Sequence, residues 1–151
     1  VLDVFKDFYN YSGLLSTVKT NNRMINTLAS IYAQENELDN CILINENKGV
    51  AEVCNGNIFV LKGNSIKTPS LSEGCIKGIA RKKIIEILQK NKAYTLEETK
   101  ISPFEIQKAD EVFITNTIMG VQPVSQYKKK KFGIEFGKKL AKNFKILQIT
   151  G

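Results

Sequence analysis

One stretch constrains this chain more than any other. It is Gly49-Val50-Ala51-Glu52-Val53-Cys54-Asn55-Gly56-Asn57-Ile58-Phe59-Val60, an apolar run, one carboxylate, a Gly/Asn corner and a second apolar run. Short apolar runs meeting at small turn-forming residues read as paired strands. Glu52 is therefore carried into a corner between strands, where a lone carboxylate is ordinarily a solvated strand end. A functional Glu52 needs other polar groups brought to it by the fold.

The chain has 151 residues and is 42% hydrophobic, enough for one folded domain with a real core. No apolar run reaches the roughly 18 to 20 residues of a membrane span, and the start, Val1-Leu2-Asp3-Val4-Phe5-Lys6, lacks the basic region and apolar core of a signal peptide. The expected setting is cytoplasmic, with no membrane partner. Cys41, Cys54 and Cys75 are odd in number and widely spaced, so they read as reduced, buried small hydrophobes and no metal site is expected. Histidine is absent, which removes Ser-His-Asp and Cys-His catalysis. Acid–base chemistry is left to Lys, Tyr, Cys, Asp or Glu.

The net charge of +7 suits nucleic acid, an anionic membrane face or small anions. Its densest point, Lys128-Lys129-Lys130-Lys131, has no interleaved aromatic or Arg residue and reads as a solvated loop rather than a nucleic-acid site.

Taken in order, residues 1–18 have aromatics without a clean period and read as a linker or remnant. From about Asn22 to Gln34, the residues Met24, Ile25, Leu28, Ala29 and Tyr32 form a helical stripe, with Asn21 or Asn22 as cap. Cys41 to Ile44 reads as a buried strand. Lys62-Gly63-Asn64 is a hairpin turn between Ile58–Leu61 and Ser65–Thr68, with Pro69 ending the pairing. The glycine-punctuated loop Ser72–Arg81 leads into a helix with apolar residues Ile79, Ile84, Ile85, Ile87 and Leu88, and its start offers free N–H groups to an anion. Tyr94–Ile101 alternates as a half-buried strand. Ser102-Pro103-Phe104-Glu105 carries helix-start chemistry. A buried strand from Ala109 ends in a second polar corner at Asn116-Thr117, and a closing helix from about Gly133 places Phe136, Leu140, Phe144 and Leu147 on one stripe. The fold class is α/β or α+β.

With Lys19, Glu52, Gly78-Ile79-Ala80-Arg81 and Asn116-Thr117 in that order, the chain resembles the class IV aminotransferases, pyridoxal-phosphate enzymes of fold type IV. The likeness runs from Lys19 to about Tyr127. It implies a cofactor-binding large domain over residues 19–151, with strands of a mixed sheet or pseudo-barrel flanked by helices, and pyridoxal 5'-phosphate as cofactor. By the same resemblance Lys19, in Lys19-Thr20-Asn21-Asn22, is the lysine that bonds to the cofactor aldehyde and moves the substrate proton. Glu52 faces the pyridine nitrogen. Ile79 and Ala80 supply main-chain N–H groups to the phosphate, and Asn116 and Thr117 form a second phosphate corner. Arg81 is expected to be a salt-bridge residue beside the cup.

Ala80 stands where many members have Thr or Ser, and Met24 where branched-chain enzymes have Tyr. The stretches Lys19–Met24 and Asn116–Val124 look more like aminodeoxychorismate lyase. The resemblance thus implies conversion of 4-amino-4-deoxychorismate to 4-aminobenzoate and pyruvate, on the way to folate. The alternatives are an amino-acid aminotransferase of branched-chain or D-amino-acid type and, from another class, a basic nucleic-acid-binding module using Lys128–Lys131. Family members carry a smaller N-terminal domain that contributes an arginine to the phosphate, and nothing before Lys19 can be that domain. The chain is expected to be the large domain alone, insufficient for catalysis by itself, a homodimer when complete, and directed at an anionic, amino-acid-like substrate.

Overall fold

The structure is a computed structural model that describes residues 1–18 and 23–150. Fourteen elements follow in chain order: β1 (Leu2–Phe5), α1 (Met24–Glu35), β2 (Asn40–Ile44), β3 (Val50–Val53), β4 (Asn57–Lys62), β5 (Ser65–Pro69), α2 (Ile79–Lys90), β6 (Thr95–Thr99), α3 (Pro103–Gln107), β7 (Glu111–Asn116), β8 (Gly120–Val124), β9 (Gln126–Tyr127), β10 (Lys130–Lys131) and α4 (Glu135–Thr150). The strands form two mixed sheets, ordered β10-β9-β1-β2-β3 and β6-β5-β4-β7-β8. The α/β reading is thereby confirmed. No helix among the described residues is long and apolar enough to cross a membrane.

The period-two rule sorts the core into three layers. Ile42, Val53, Ile58, Val60, Val112 and Ile114 face one another between the sheets. Their neighbours Phe59, Leu61 and Phe113 point the other way, onto α2 and α4 through Ile84, Leu88, Leu140 and Phe144. On the outer face of the first sheet, Phe5, Cys41, Leu43 and Cys54 pack under Ala29 and Ala33 of α1. Central strands covered on both faces read as continuous apolar runs, which is why Cys41–Ile44 and Ile58–Leu61 were recognisable.

Four local readings need correction. The start of the segment read as linker or remnant is β1, paired in parallel with β2 from Leu2↔Asn40 to Phe5↔Leu43. Its sequence showed no period because the run is four residues long and its partner is nearly forty residues away. Arg23, with no side-chain cap bond, occupies the N-cap of α1, and the proposed caps Asn21 and Asn22 lie outside the described residues. Ile79 is 66% exposed, because the buried face of α2 is set by Ala80, Arg81, Ile84, Ile85 and Leu88. Leu147 of the α4 stripe is exposed, whereas Pro69 is the last residue of β5, opposite Thr99, and ends the strand as expected. The lysine run forms the exposed tip and return of the β9–β10 hairpin.

Candidate active site

The chain passes from the first sheet to the second at Cys54-Asn55-Gly56, between β3 and β4. Glu52 is therefore not in the corner but inside β3, opposite Leu43 and on the α1 face. It is 3% exposed. Its Oε2 accepts the Ile76 N–H at 2.9 Å, and its Oε1 accepts from Arg23 Nη2 and from Asn26 Nδ2, each at 3.3 Å. Burial pushes the Glu52 carboxyl above the ordinary glutamate range, opposed by the Ile76 N–H, the Arg23 charge and the Asn26 amide. A buried carboxylate raised in this way is suited to meet a further positively charged partner.

Beside it the loop before α2 is drawn tight. Asn57 Nδ2 donates to Ile76 O at 2.8 Å, the Gly78 N–H to Ile76 O at 2.9 Å, and the Lys77 N–H to Thr17 O at 3.0 Å. A Cβ on Gly78 would lie 2.4 Å from Asn57 Oδ1, so only glycine lets the loop approach this strand so closely. Gly78 is the N-cap of α2, and no side chain caps the helix. The first-turn N–H groups of a helix have no intrahelical acceptor, and the residues that carry them here, Ile79 and Ala80, line the cavity.

The second corner lies alongside, because β4 and β7 pair with Asn57 opposite Thr115. Asn116 Oδ1 accepts the Ile118 and Met119 N–H groups at 3.1 and 2.7 Å, shaping the turn and leaving its amide nitrogen as donor. Thr115 Oγ1 is buried without a hydrogen-bond partner among the described residues. Buried polar atoms are rarely left unpaired, and this one sits at the same cavity.

A single cavity of about 270 Å³ gathers these groups: Thr17 and Arg23, Glu52, the Asn55–Asn57 corner, the loop Ile76 to Ala80, and Thr115 to Thr117. The two polar corners and the carboxylate, far apart in sequence, thus line one space. A neighbouring cavity of about 500 Å³ shares Arg23, Asn55, Asn116 and Thr117 with it and extends past Asn26 and Cys54 to Met119. A larger hollow of about 520 Å³ on another part of the surface, lined by residues such as Val4, Tyr9 and Phe104, contains none of the candidate residues. Lys19 lies outside the described residues, between Val18 and the N-cap of α1. Arg81 is the expected salt-bridge residue: its Nη2 meets Glu98 Oε1 at 2.5 Å and Pro69 O at 3.0 Å.

Sequence reasoning gave no role to Arg23, Asn26, Asn57 or Thr115. The spacing of Arg23 and Asn26 by three residues, at the head of a helix with an apolar stripe, was the one available sign that both could reach a common acceptor.

The chain matches the family described as amino-transferase class IV over residues 4–127. It is 38% identical over 106 residues to the "Probable branched-chain-amino-acid aminotransferase" of Aquifex aeolicus, covering 70% of this chain and 34% of that protein. It is 31% identical over 112 residues to aminodeoxychorismate lyase of Vibrio harveyi, covering 74% of this chain and 41% of that protein. The chain thus spans less than half the length of either curated relative. In fold it is similar to the branched-chain amino acid aminotransferase of Thermobaculum terrenum in its PLP form, with a TM-score of 0.85 at 20% identity, over 97% of this chain and 50% of that one. With 124 of 151 residues inside the family match, the chain belongs to the class IV aminotransferases.

Proposed function

We propose that this chain is the cofactor-binding part of a pyridoxal-phosphate enzyme that acts at the amine-bearing carbon of an anionic, amino-acid-like substrate. The observation that carries the reading is the convergence of a buried carboxylate and an uncapped helix N-terminus on one cavity. The donor set suits the group. An acid of high burial complements a protonated ring nitrogen, and the N–H groups of Ile79 and Ala80, with Asn116 and Thr117, complement a phosphate. The orphaned Thr115 hydroxyl and the close approach at Gly78 belong to the same cradle. The solved relative in PLP form shares this fold.

When bound, pyridoxal phosphate supplies an electron sink that eases bond breaking at the substrate's amine-bearing carbon. The chain's own residues do the rest. Glu52 would hold the ring nitrogen in its charged form. The α2 N-terminus and the β7–β8 corner would hold the phosphate. Lys19 would be the lysine that bonds to the cofactor aldehyde, and its amine would move the proton at the substrate carbon. The adjoining cavity at Arg23, Asn26 and Met119 leaves room for a substrate beyond the cofactor.

For the reaction we take the conversion of 4-amino-4-deoxychorismate to 4-aminobenzoate and pyruvate. Met24 and the Asn116-Thr117-Ile118-Met119 corner favour it, as does the likeness to the Vibrio harveyi lyase. The second reading, an amino-acid aminotransferase, is favoured by the higher identity to the Aquifex aeolicus protein. The complete enzyme is taken to be a homodimer with an additional small domain. Titration with pyridoxal phosphate, followed by absorbance, should produce a saturable visible band. Product analysis should then give 4-aminobenzoate with pyruvate from the lyase substrate. Transfer of an amino group to a 2-oxo acid without 4-aminobenzoate would select the second reading, and the absence of cofactor binding would reject both.

A further inference from the structure

We propose that Arg23 is a positioning residue of this site: with Asn26 it pins Oε1 of Glu52 and so fixes the carboxylate toward the ring nitrogen of the cofactor. The inference rests on the proposed function and adds a residue to it. Arg23 Nη2 lies 3.3 Å from Glu52 Oε1, and Asn26 Nδ2 lies 3.3 Å from the same oxygen while also reaching Cys54 O at 3.0 Å. The amide is thus anchored to the strand that carries Glu52, and the guanidinium closes the other side. Oε2 is held separately by the Ile76 N–H at 2.9 Å. A carboxylate has about four lone-pair positions, so three donors orient it and leave room for one more.

The charge matters as well as the geometry. Arg23 is the one cation bonded to Glu52 among the described residues. The other titratable groups facing it are Cys75, in the loop before α2, whose thiol burial pushes up to about 11 and which also feels the Glu52 charge, and Lys77, which lines the cavity. Burial works against the ionised form of Glu52, and Arg23 works for it. Removing Arg23 leaves a buried acid with only neutral donors, which favours the protonated carboxyl. A neutral carboxyl holds a protonated ring nitrogen poorly. Arg23 therefore acts through Glu52 and is not itself a catalytic residue.

The test compares the parent protein with R23M, R23K and N26A, using [δ-13C]glutamate labelling with E52Q to assign the Glu52 signal. In the cofactor-free protein, Glu52 should titrate at higher pH in R23M than in the parent, with R23K restoring most of the difference and N26A moving it less than R23M. With [pyridine-15N]pyridoxal phosphate bound, the nitrogen signal should be that of a pyridinium in the parent and R23K, and should move toward neutral pyridine in R23M. In the complete enzyme, turnover should fall roughly tenfold in R23M with KM little changed. Identical Glu52 titrations in the parent and both Arg23 variants would overturn the proposal. Should R23M not fold, R23Q takes its place, and a Glu52 titration in R23Q identical to that of the parent would overturn the proposal. A parent that binds no pyridoxal phosphate would reject the proposed function instead, while the cofactor-free titration would still decide whether Arg23 governs Glu52.

Discussion

Glu52 is where physical chemistry and function are most tightly joined. Its position inside β3, its near-complete burial and its three donors all follow from the α1 helix and the Ile76 loop closing over one strand. Glu52→Gln keeps the shape and removes the charge. In the complete enzyme it should lower turnover by about a hundredfold, roughly 2.7 kcal/mol of transition-state stabilisation, with near-normal turnover excluding a role at the ring nitrogen. The same substitution has a stability signature. Because the folded state raises the Glu52 pKa above the unfolded value near about 4.3, the folded protein binds more protons there, and stability from this group is full below the unfolded value and lost as pH rises through the folded one. In urea titrations of the cofactor-free protein, Glu52→Gln should therefore gain on the parent as pH is raised from about 4 toward neutrality. A parent-to-variant difference that does not change with pH would contradict the burial account. Sequence alone marked Glu52 as noteworthy but placed it at a strand end. Its partners Arg23 and Asn26 were signalled only by their three-residue spacing at the head of α1.

Among the elements, α2 and the loop feeding it position the proposed anion site. Gly78 is the critical joint, because its Cα faces Asn57, which is buried and bonded to the loop carbonyl of Ile76. Gly78→Ala should displace the Asn57 amide, cost about 1 to 3 kcal/mol of stability and weaken pyridoxal-phosphate binding by roughly tenfold or more. Gly13→Ala is the matched control, since a Cβ there meets nothing within 4 Å. Equal effects of the two substitutions, read by thermal denaturation and cofactor titration, would show that the close approach at Gly78 is unimportant. The start of α2 was legible because glycine before an apolar helix marks a cap. Ile79, read as one of the apolar residues of α2, is exposed because Arg81, a charged residue that no hydrophobic pattern counts, holds the buried face through Glu98 and Pro69. The capping box of α3 was fully legible, since Ser102 and Glu105 are close in sequence and bond reciprocally.

At the scale of the whole molecule, the strands buried on both faces could be read as apolar runs, whereas their arrangement could not. The inter-sheet layer joins Val53 to Ile114 across some sixty residues of chain, and β1 docks beside a strand nearly forty residues away. Such pairings are set by packing and not by local propensity. The convergence of the Gly78 and Asn116 corners is of this kind: β4 pairing with β7 brings Asn57 against Thr115, and only then do the corners share a cavity with Glu52. The motif order announced the site through family resemblance, and the two-sheet topology supplies its physical reason. Lys19, proposed as the lysine that bonds to the cofactor, lies outside the described residues, four positions before Arg23 in the sequence. The central claim is that this cavity holds pyridoxal phosphate bonded through Lys19. Borohydride reduction of the protein loaded with pyridoxal phosphate, followed by peptide mapping, should place a single pyridoxyl group on the peptide containing Lys19, and stoichiometric label on any other lysine would contradict it.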